Sequence, residues 1–327
     1  MHLRPKLPKP FFVLAPMDDV TDTVFRQIVA GCAAPDLFFT EFTNVDGLQS
    51  PGRPKLLKKI QHTNEDRPLI AQLWGLKPEN YYETAKQIAA GELGTFAGVD
   101  INMGCPAKSE VQNSTCSALI KPENRQLAGD IIDATRKGLD GKLPLSVKTR
   151  IGFNDIDMSW FDFILGKDLD MLTVHGRTRK EMSKVPAHWD IIGEVVKRRD
   201  TLAPETLVVG NGDVMDHAHG LELAKKYKLD GIMIGRGIFH DPFVFAAQSP
   251  WKLYSKEQKI ELYLKHVKLF AKTWQGGERA VHTLNKFCKI YINGFDGAKE
   301  LREKLMAANS TDELLALLSL SNIVSKD

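Results

Sequence analysis

Val99-Asp100-Ile101-Asn102-Met103-Gly104-Cys105-Pro106 reads as a buried strand that stops abruptly at a reactive-type side chain. Apolar residues lead into it from Phe96, and Asn102, Gly104, Cys105 and Pro106 then break the pattern. Gly104 permits an unusual backbone angle, and Pro106 removes a donor from any further ladder. A thiol is thus expected at a fixed turn just past a strand end, close behind the Asn102 amide.

The rest of the chain repeats this pattern. Short apolar runs begin at Phe11, Leu37, Leu69, Leu143, Met171, Thr206 and Gly231, and each ends in a small or polar residue. Helical patterns stand between them over 21–32, 78–90, 122–138, 190–199 and 215–227. Strands alternating with helices imply parallel pairing, because parallel neighbours need crossovers, and near-continuous apolar strands fit burial on both faces. Eight such units in about 240 residues predict a (β/α)₈ TIM barrel. A doubly wound open sheet would open with a Gly-x-Gly-x-x-Gly fingerprint, and Pro16-Met17-Asp18-Asp19-Val20-Thr21 is not one.

Beyond Pro250 the period becomes helical, with Ile260, Tyr263, Val267 and Phe270, then Leu284, Phe287 and Tyr291, then Leu301, Leu305 and 314–320. This predicts a small all-helical domain over 246–327 after a catalytic barrel over 1–245. From residue 242 onward the chain carries 13 Lys and Arg against 9 Asp and Glu, and 31 against 32 before it. The excess cations, with lysines at 259, 265, 268, 272, 286 and 289, point to an RNA-contacting surface.

With 43% hydrophobic and 26% charged residues the composition is that of a globular protein. No apolar run reaches the roughly eighteen residues that a membrane span needs. Met1–Lys6 shows no signal-type apolar region, and Cys32, Cys105, Cys116 and Cys288 lack metal-type spacing. A reduced cytoplasmic monomer without a metal is expected. Cys32, Cys116, His217 and His219 read as structural or surface residues.

In a barrel every C-terminal strand end opens onto one rim, where active sites of this architecture sit. The polar residues there are Gln72, Asn102, Cys105, Lys148, Arg150, His175, Arg177, Asn211 and Arg236, with Asp213 the main carboxylate. That set lacks the carboxylate pair of a glycosidase and the ligand cluster of a metal site. It suits an anionic, planar ligand carrying a phosphate. Asn211-Gly212-Asp213 and Gly235-Arg236-Gly237 follow strands seven and eight, where barrels commonly bind phosphate.

Ala15-Pro16-Met17 with Thr21-Asp22, Asp100 to Pro106, Val147-Lys148-Thr149-Arg150, His175-Gly176-Arg177-Thr178, Asn211-Gly212-Asp213 and Gly235-Arg236-Gly237 resemble, in that order, the dihydrouridine synthases. These are flavin enzymes that reduce uridine in RNA, most often tRNA. The resemblance implies FMN across the rim, its phosphate at Asn211, Gly212, Asp213, Gly235 and Arg236. It places Pro16, Met17 and Asp18 along the flavin ring, with Gln72, Lys148 and His175 beside it. Asn102, Arg150 and Arg177 match substrate-side residues, Cys105 matches the catalytic cysteine, and NADPH is the implied reductant. A thiol of ordinary pKa, roughly 8.5, is mostly protonated near neutrality and can act as the acid.

The chain differs from the family pattern in two places. Ser114-Thr115-Cys116-Ser117 stands where the family is rich in glycine, and Asp18-Asp19 replaces small residues. Two other readings remain open at this level. One is a dihydroorotate-dehydrogenase-like flavin oxidoreductase, the other a non-catalytic RNA-binding protein on a degenerate barrel.

Overall fold

The computed structural model describes residues 7–323, so Met1–Lys6, read above for a targeting signal, lie outside it. Nine parallel strands form one sheet: β1 (Phe11–Leu14), β2 (Phe38–Phe39), β3 (Thr43–Asn44), β4 (Leu69–Trp74), β5 (Gly98–Met103), β6 (Leu145–Arg150), β7 (Met171–His175), β8 (Leu207–Asn211) and β9 (Gly231–Ile234). Their order is β1-β9-β8-β7-β6-β5-β4-β2, with β3 also on β4. Leu14 N donates to Leu37 O at 3.2 Å and Leu37 N to Phe12 O at 3.2 Å, which joins the two ends into a barrel.

β2 and β3 occupy a single barrel position, so the expected eightfold architecture holds. The sequence pattern suggested one run over 37–41, whereas the strand breaks at Thr40–Phe42 and resumes. The break comes from a buried carboxylate. Glu41 is fully buried, and its side chain accepts the Asp19 backbone N–H at 2.8 Å, while the Thr40 hydroxyl donates to Glu41 O at 2.8 Å. A further helix, Met158–Leu165, was not apparent in the sequence. Asp157 caps it by accepting from Ser159 N at 3.1 Å and Trp160 N at 3.3 Å, and the helix buries Trp160, Phe161, Ile164 and Leu165.

Strand parity decides what fills the barrel. Phe11, Val13 and Ala15 alternate with Ile70, Met171, Leu207, Val209 and Met233 in one buried apolar cluster at the strand starts. The same faces, followed two residues at a time toward the C-terminal ends, turn polar. They become Gln72 on β4, Asp100 and Asn102 on β5, Ser146, Lys148 and Arg150 on β6, Thr173 and His175 on β7, and Asn211 on β8. The apolar half supplies the core, and the polar half supplies a site.

By contacts the described chain forms two compact units, one from residues up to 22 with 35–235, the other from 23–34 with 236 onward. Helix Thr23–Ala33 therefore groups with the C-terminal helices although it follows β1 in the chain. Within that second unit Phe25 stacks on Phe287 at 4.9 Å and Tyr263 on Tyr291 at 5.1 Å. Ser255 and Gln258 form a capping box at the start of helix Lys256–Thr273. Lys259 is no surface cation. It is buried, donates to Asn293 O at 3.0 Å and lies over the Trp251 ring.

Candidate active site

Register brings the polar strand-end residues side by side. Gln72 pairs with Asp100 and Asp100 with Ser146; Asn102 pairs with Lys148 and Lys148 with Thr173; Arg150 pairs with His175 and His175 with Asn211. Gln72 Nε2 donates to Asp100 Oδ2 at 2.7 Å, Asn102 Nδ2 to Gln72 Oε1 at 3.2 Å, and Ser146 Oγ to Asp100 Oδ1 at 2.6 Å. Asp100, Ser146 and Thr173 were missed in the sequence, although their two-residue spacing from Asn102, Lys148 and His175 marks the same face. Burial pushes the Asp100 carboxyl up to about 7, against hydrogen bonds from Ser146 and Gln72 and the charge of Lys148.

Asn102 also fixes the thiol. Its Oδ1 accepts from Gly104 N and Cys105 N, both at 3.0 Å, so the side chain spans the turn that ends β5. Arg150 Nε donates to Gly104 O at 2.7 Å from the facing strand. Gly104 takes no left-handed angle, contrary to the sequence expectation. A Cβ there would lie 3.4 Å from Lys148 O and from Thr149 C, at ordinary contact distance, so the space around it does not by itself demand glycine.

Cys105 is partly exposed at the end of this braced turn. Its thiol is held below the ordinary thiol value, first by a hydrogen bond with the Cys116 thiol and then by the Ala107 backbone N–H and the Arg150 charge, against burial and Glu110. The sequence reading left this thiol unperturbed and took Cys116 as a structural or surface residue, and the structure buries Cys116.

Two groups in this belt have no hydrogen-bond or ion-pair partner among the described residues. Lys148 Nζ has none, and burial followed by the Arg150 charge pulls its ammonium down to about 8. The Thr173 hydroxyl, its register neighbour, is buried and unpaired. An ammonium and a hydroxyl left so inside a barrel mouth fit the polar edge of a planar cofactor.

The far side of the rim is built around the turn after β8. Asn211 Nδ2 ties it to Met233 O at 2.9 Å, and Trp189 Nε1 donates to Gly212 O at 3.1 Å. Gly212 takes φ 134°, and a Cβ would lie 2.7 Å from Ala187 Cβ, so only glycine fits. Asp213 follows at φ 53°, its carboxylate accepting from Ala187 N at 3.0 Å and paired with Arg177. Arg177 is buried and also donates to Val185 O at 2.5 Å. Arg150 likewise spends its NH1 on Thr178 O at 3.2 Å. Both arginines therefore brace loops.

Of the other sequence candidates, Pro16 and Met17 are partly exposed after β1, where Thr21 Oγ1 accepts from Met17 N at 2.9 Å. Asp18 is exposed and pairs with Lys59; its carboxylate lies near those of Asp19 and Glu41. Gly235 is partly buried, and Arg236 starts the short helical turn Arg236–Phe239 of the second unit.

Comparison with known proteins identifies the lineage. The family profile described as dihydrouridine synthase (Dus) matches residues 13–326. A Bacillus subtilis protein named probable tRNA-dihydrouridine synthase 2 is 45% identical over 317 residues, spanning 96% of this chain and 94% of its own. A Staphylococcus aureus protein named probable tRNA-dihydrouridine synthase is 44% identical over 317 residues, 96% of this chain and 93% of its own. Among solved structures, morphinone reductase superposes with TM-score 0.51 at 12% identity, over 74% of this chain and 86% of that one, a likeness of fold alone. Extending through both the barrel and the C-terminal helices, the match places this chain in the dihydrouridine synthase family.

Proposed function

We propose that this chain reduces the carbon 5–carbon 6 double bond of uridine in tRNA, with FMN as bound cofactor, NADPH as reductant and Cys105 as proton donor. The observation that carries the reading is the braced, partly exposed thiol together with a half-buried ammonium that has no partner among the described residues. Family membership and the names of the relatives support the reaction and the tRNA substrate.

Lys148, Thr173, Gln72 and His175 would hold the polar edge of the flavin, with Pro16 and Met17 along its ring. The turn at Asn211, Gly212 and Asp213, with Gly235, suits the phosphate; Arg236 follows directly in the chain. Reduced FMN, when bound, supplies the hydride for carbon 6. Cys105 Sγ–H gives the proton to carbon 5, and the Ala107 N–H and the Arg150 charge stabilise the thiolate left behind. Asn102 keeps the thiol in place, and Arg150 and Arg177 act on the substrate side through the loops they brace. Asp18, paired to Lys59, borders the rim. The exposed basic residues of the C-terminal helices contact the RNA backbone, in a cytoplasmic, monomeric enzyme.

Cys105→Ala tests this. The variant should keep its flavin absorbance and bind tRNA, while dihydrouridine formation falls by roughly 10²–10⁴-fold. Full turnover in that variant removes the proton-donor role. Oxidation of dihydroorotate by the wild type, without reduction of tRNA, would restore the dihydroorotate-dehydrogenase-like reading.

A further inference from the structure

Asp100 is a buried carboxylate to which the reaction above gives no part. It lies on β5 between Gln72 on β4 and Ser146 on β6, and all three are almost fully enclosed. From it a line of hydrogen bonds runs to the turn that carries the thiol. Gln72 Nε2 donates to Asp100 Oδ2 at 2.7 Å, and Asn102 Nδ2 donates to Gln72 Oε1 at 3.2 Å. Asn102 Oδ1 then accepts from Gly104 N and Cys105 N, both at 3.0 Å. Chemistry imposes a direction on this line. Backbone N–H groups only donate, so Asn102 must present its oxygen to Gly104 and Cys105. Its nitrogen therefore faces Gln72, which must answer with oxygen and turn its own nitrogen the other way. A nitrogen buried this deeply needs an acceptor, and Asp100 supplies one. Ser146 Oγ holds the carboxylate from the far side, donating to Asp100 Oδ1 at 2.6 Å. Burial brings this carboxyl to about 7, and a proton on Oδ1 still leaves Oδ2 accepting from Gln72.

We propose that Asp100 is a positioning residue for the reaction: its carboxylate anchors the Gln72 amide, and through Gln72 and Asn102 it holds the turn that presents Cys105. This rests on Cys105 being the proton donor. No bond to Asp100 forms or breaks, and no proton leaves it. Its effect is geometric. With the anchor in place, Gln72 has one orientation and so does Asn102. Without it Gln72 Nε2 is left unpaired, the amide turns in search of a partner, and Asn102 loses the bond that steadies it. Misplacing a reacting group by about 1 Å can cost on the order of 10²-fold in rate.

Stopped-flow measurement of the two half-reactions, taken per bound flavin, tests this. Reduction of the flavin by NADPH makes no use of Cys105, whereas reoxidation of the reduced flavin by tRNA does. In Asp100→Leu, reoxidation should slow roughly 10–100-fold while reduction stays near the wild-type rate. Hydrogen exchange of the Gly104 and Cys105 amides, which Asn102 Oδ1 protects, should quicken in the same variant. Asp100→Asn keeps one oxygen for Gln72 but leaves the Ser146 hydroxyl only Val99 O at 3.5 Å, so reoxidation should slow about threefold. The asparagine variant keeps the size and shape of the side chain, and it decides the matter should the leucine variant fail to fold. In a Cys105→Ala background neither substitution should slow reoxidation further, because the line of amides then has no thiol to place. Reoxidation or amide exchange at the wild-type rate in the folded Asp100 variants overturns the proposal. So does an equal loss in both half-reactions, or a loss that persists in the Cys105→Ala background, since either makes Asp100 a group that serves the fold or the flavin. Full-speed reoxidation by Cys105→Ala alone removes the proton-donor reading, and this proposal with it.

Discussion

Polar groups at the centre of the helical unit and at the mouth of the barrel are treated in opposite ways. In the helical unit His266 is completely enclosed, yet its Nδ1 meets the Tyr291 hydroxyl at 3.1 Å, and the Tyr263 hydroxyl donates to Leu284 O at 3.2 Å. Even the Lys259 ammonium has a backbone carbonyl. In the barrel mouth Lys148 and Thr173 lack partners among the described residues, while Gln72, Asp100, Asn102 and Ser146 around them are tied together. A satisfied buried group holds a fold; an unsatisfied one costs about 1–3 kcal/mol and marks where a ligand belongs.

Removing the unpaired cation should test that contrast most strongly. Lys148→Met is expected to weaken flavin retention roughly 10–100-fold, the worth of a charge-assisted contact, while the flavin-free protein melts no lower than the wild type. Flavin absorbance after gel filtration and a melting curve read both. A variant that loses stability but keeps its flavin would show Lys148 to be an ordinary structural group.

The helical unit should respond to acid instead. Burial drags His266 down to about 3 from an ordinary value of 6.5. A group with a depressed folded-state pKa favours the folded state above its unfolded value, and that stability is lost as pH falls through the window between the two. Between pH 6.5 and pH 3 the second unit should therefore weaken progressively, by on the order of 2 kcal/mol at pH 5. Urea unfolding with and without His266→Phe measures it, since the phenylalanine variant should lose most of that acid dependence.

The smallest effects have opposite signs in the two regions. Thr173→Val removes a buried hydroxyl with no partner and should raise the melting temperature of the flavin-free protein by about 2–4 °C. Tyr291→Phe removes a partner from enclosed His266 and should lower it by a similar amount. Equal signs would dissolve the distinction.

Much of this was legible along the chain. Short, near-continuous apolar runs ending in small or polar residues specify strands, and their alternation with helices specifies a parallel barrel. The same runs put Gln72, Asn102, Lys148, His175 and Asn211 at C-terminal ends, because strand parity is a local property. Asp100, Ser146 and Thr173 could have been read by that rule but were hidden inside apolar-looking stretches.

Other features needed the folded chain. Whether an arginine reaches a ligand or a carbonyl depends on what its long side chain meets, and Arg150 and Arg177 meet Gly104 O and Val185 O. Backbone angles at the loop were equally opaque. Gly104, the obvious candidate for a left-handed turn, is not left-handed, whereas Ser114 and Cys116 are. Local preference argues against both assignments, and only contacts with distant segments override it.

The sequence by itself determined the barrel, the family and the thiol at the end of β5, because periodicity and motif order are written residue by residue. Tertiary structure alone decided that helix Thr23–Ala33 groups with the C-terminal helices, that Lys148 stands unpaired among the described residues, and that Ser117 N reaches Cys105 O. Those outcomes depend on which segments come together in space, which no local pattern encodes.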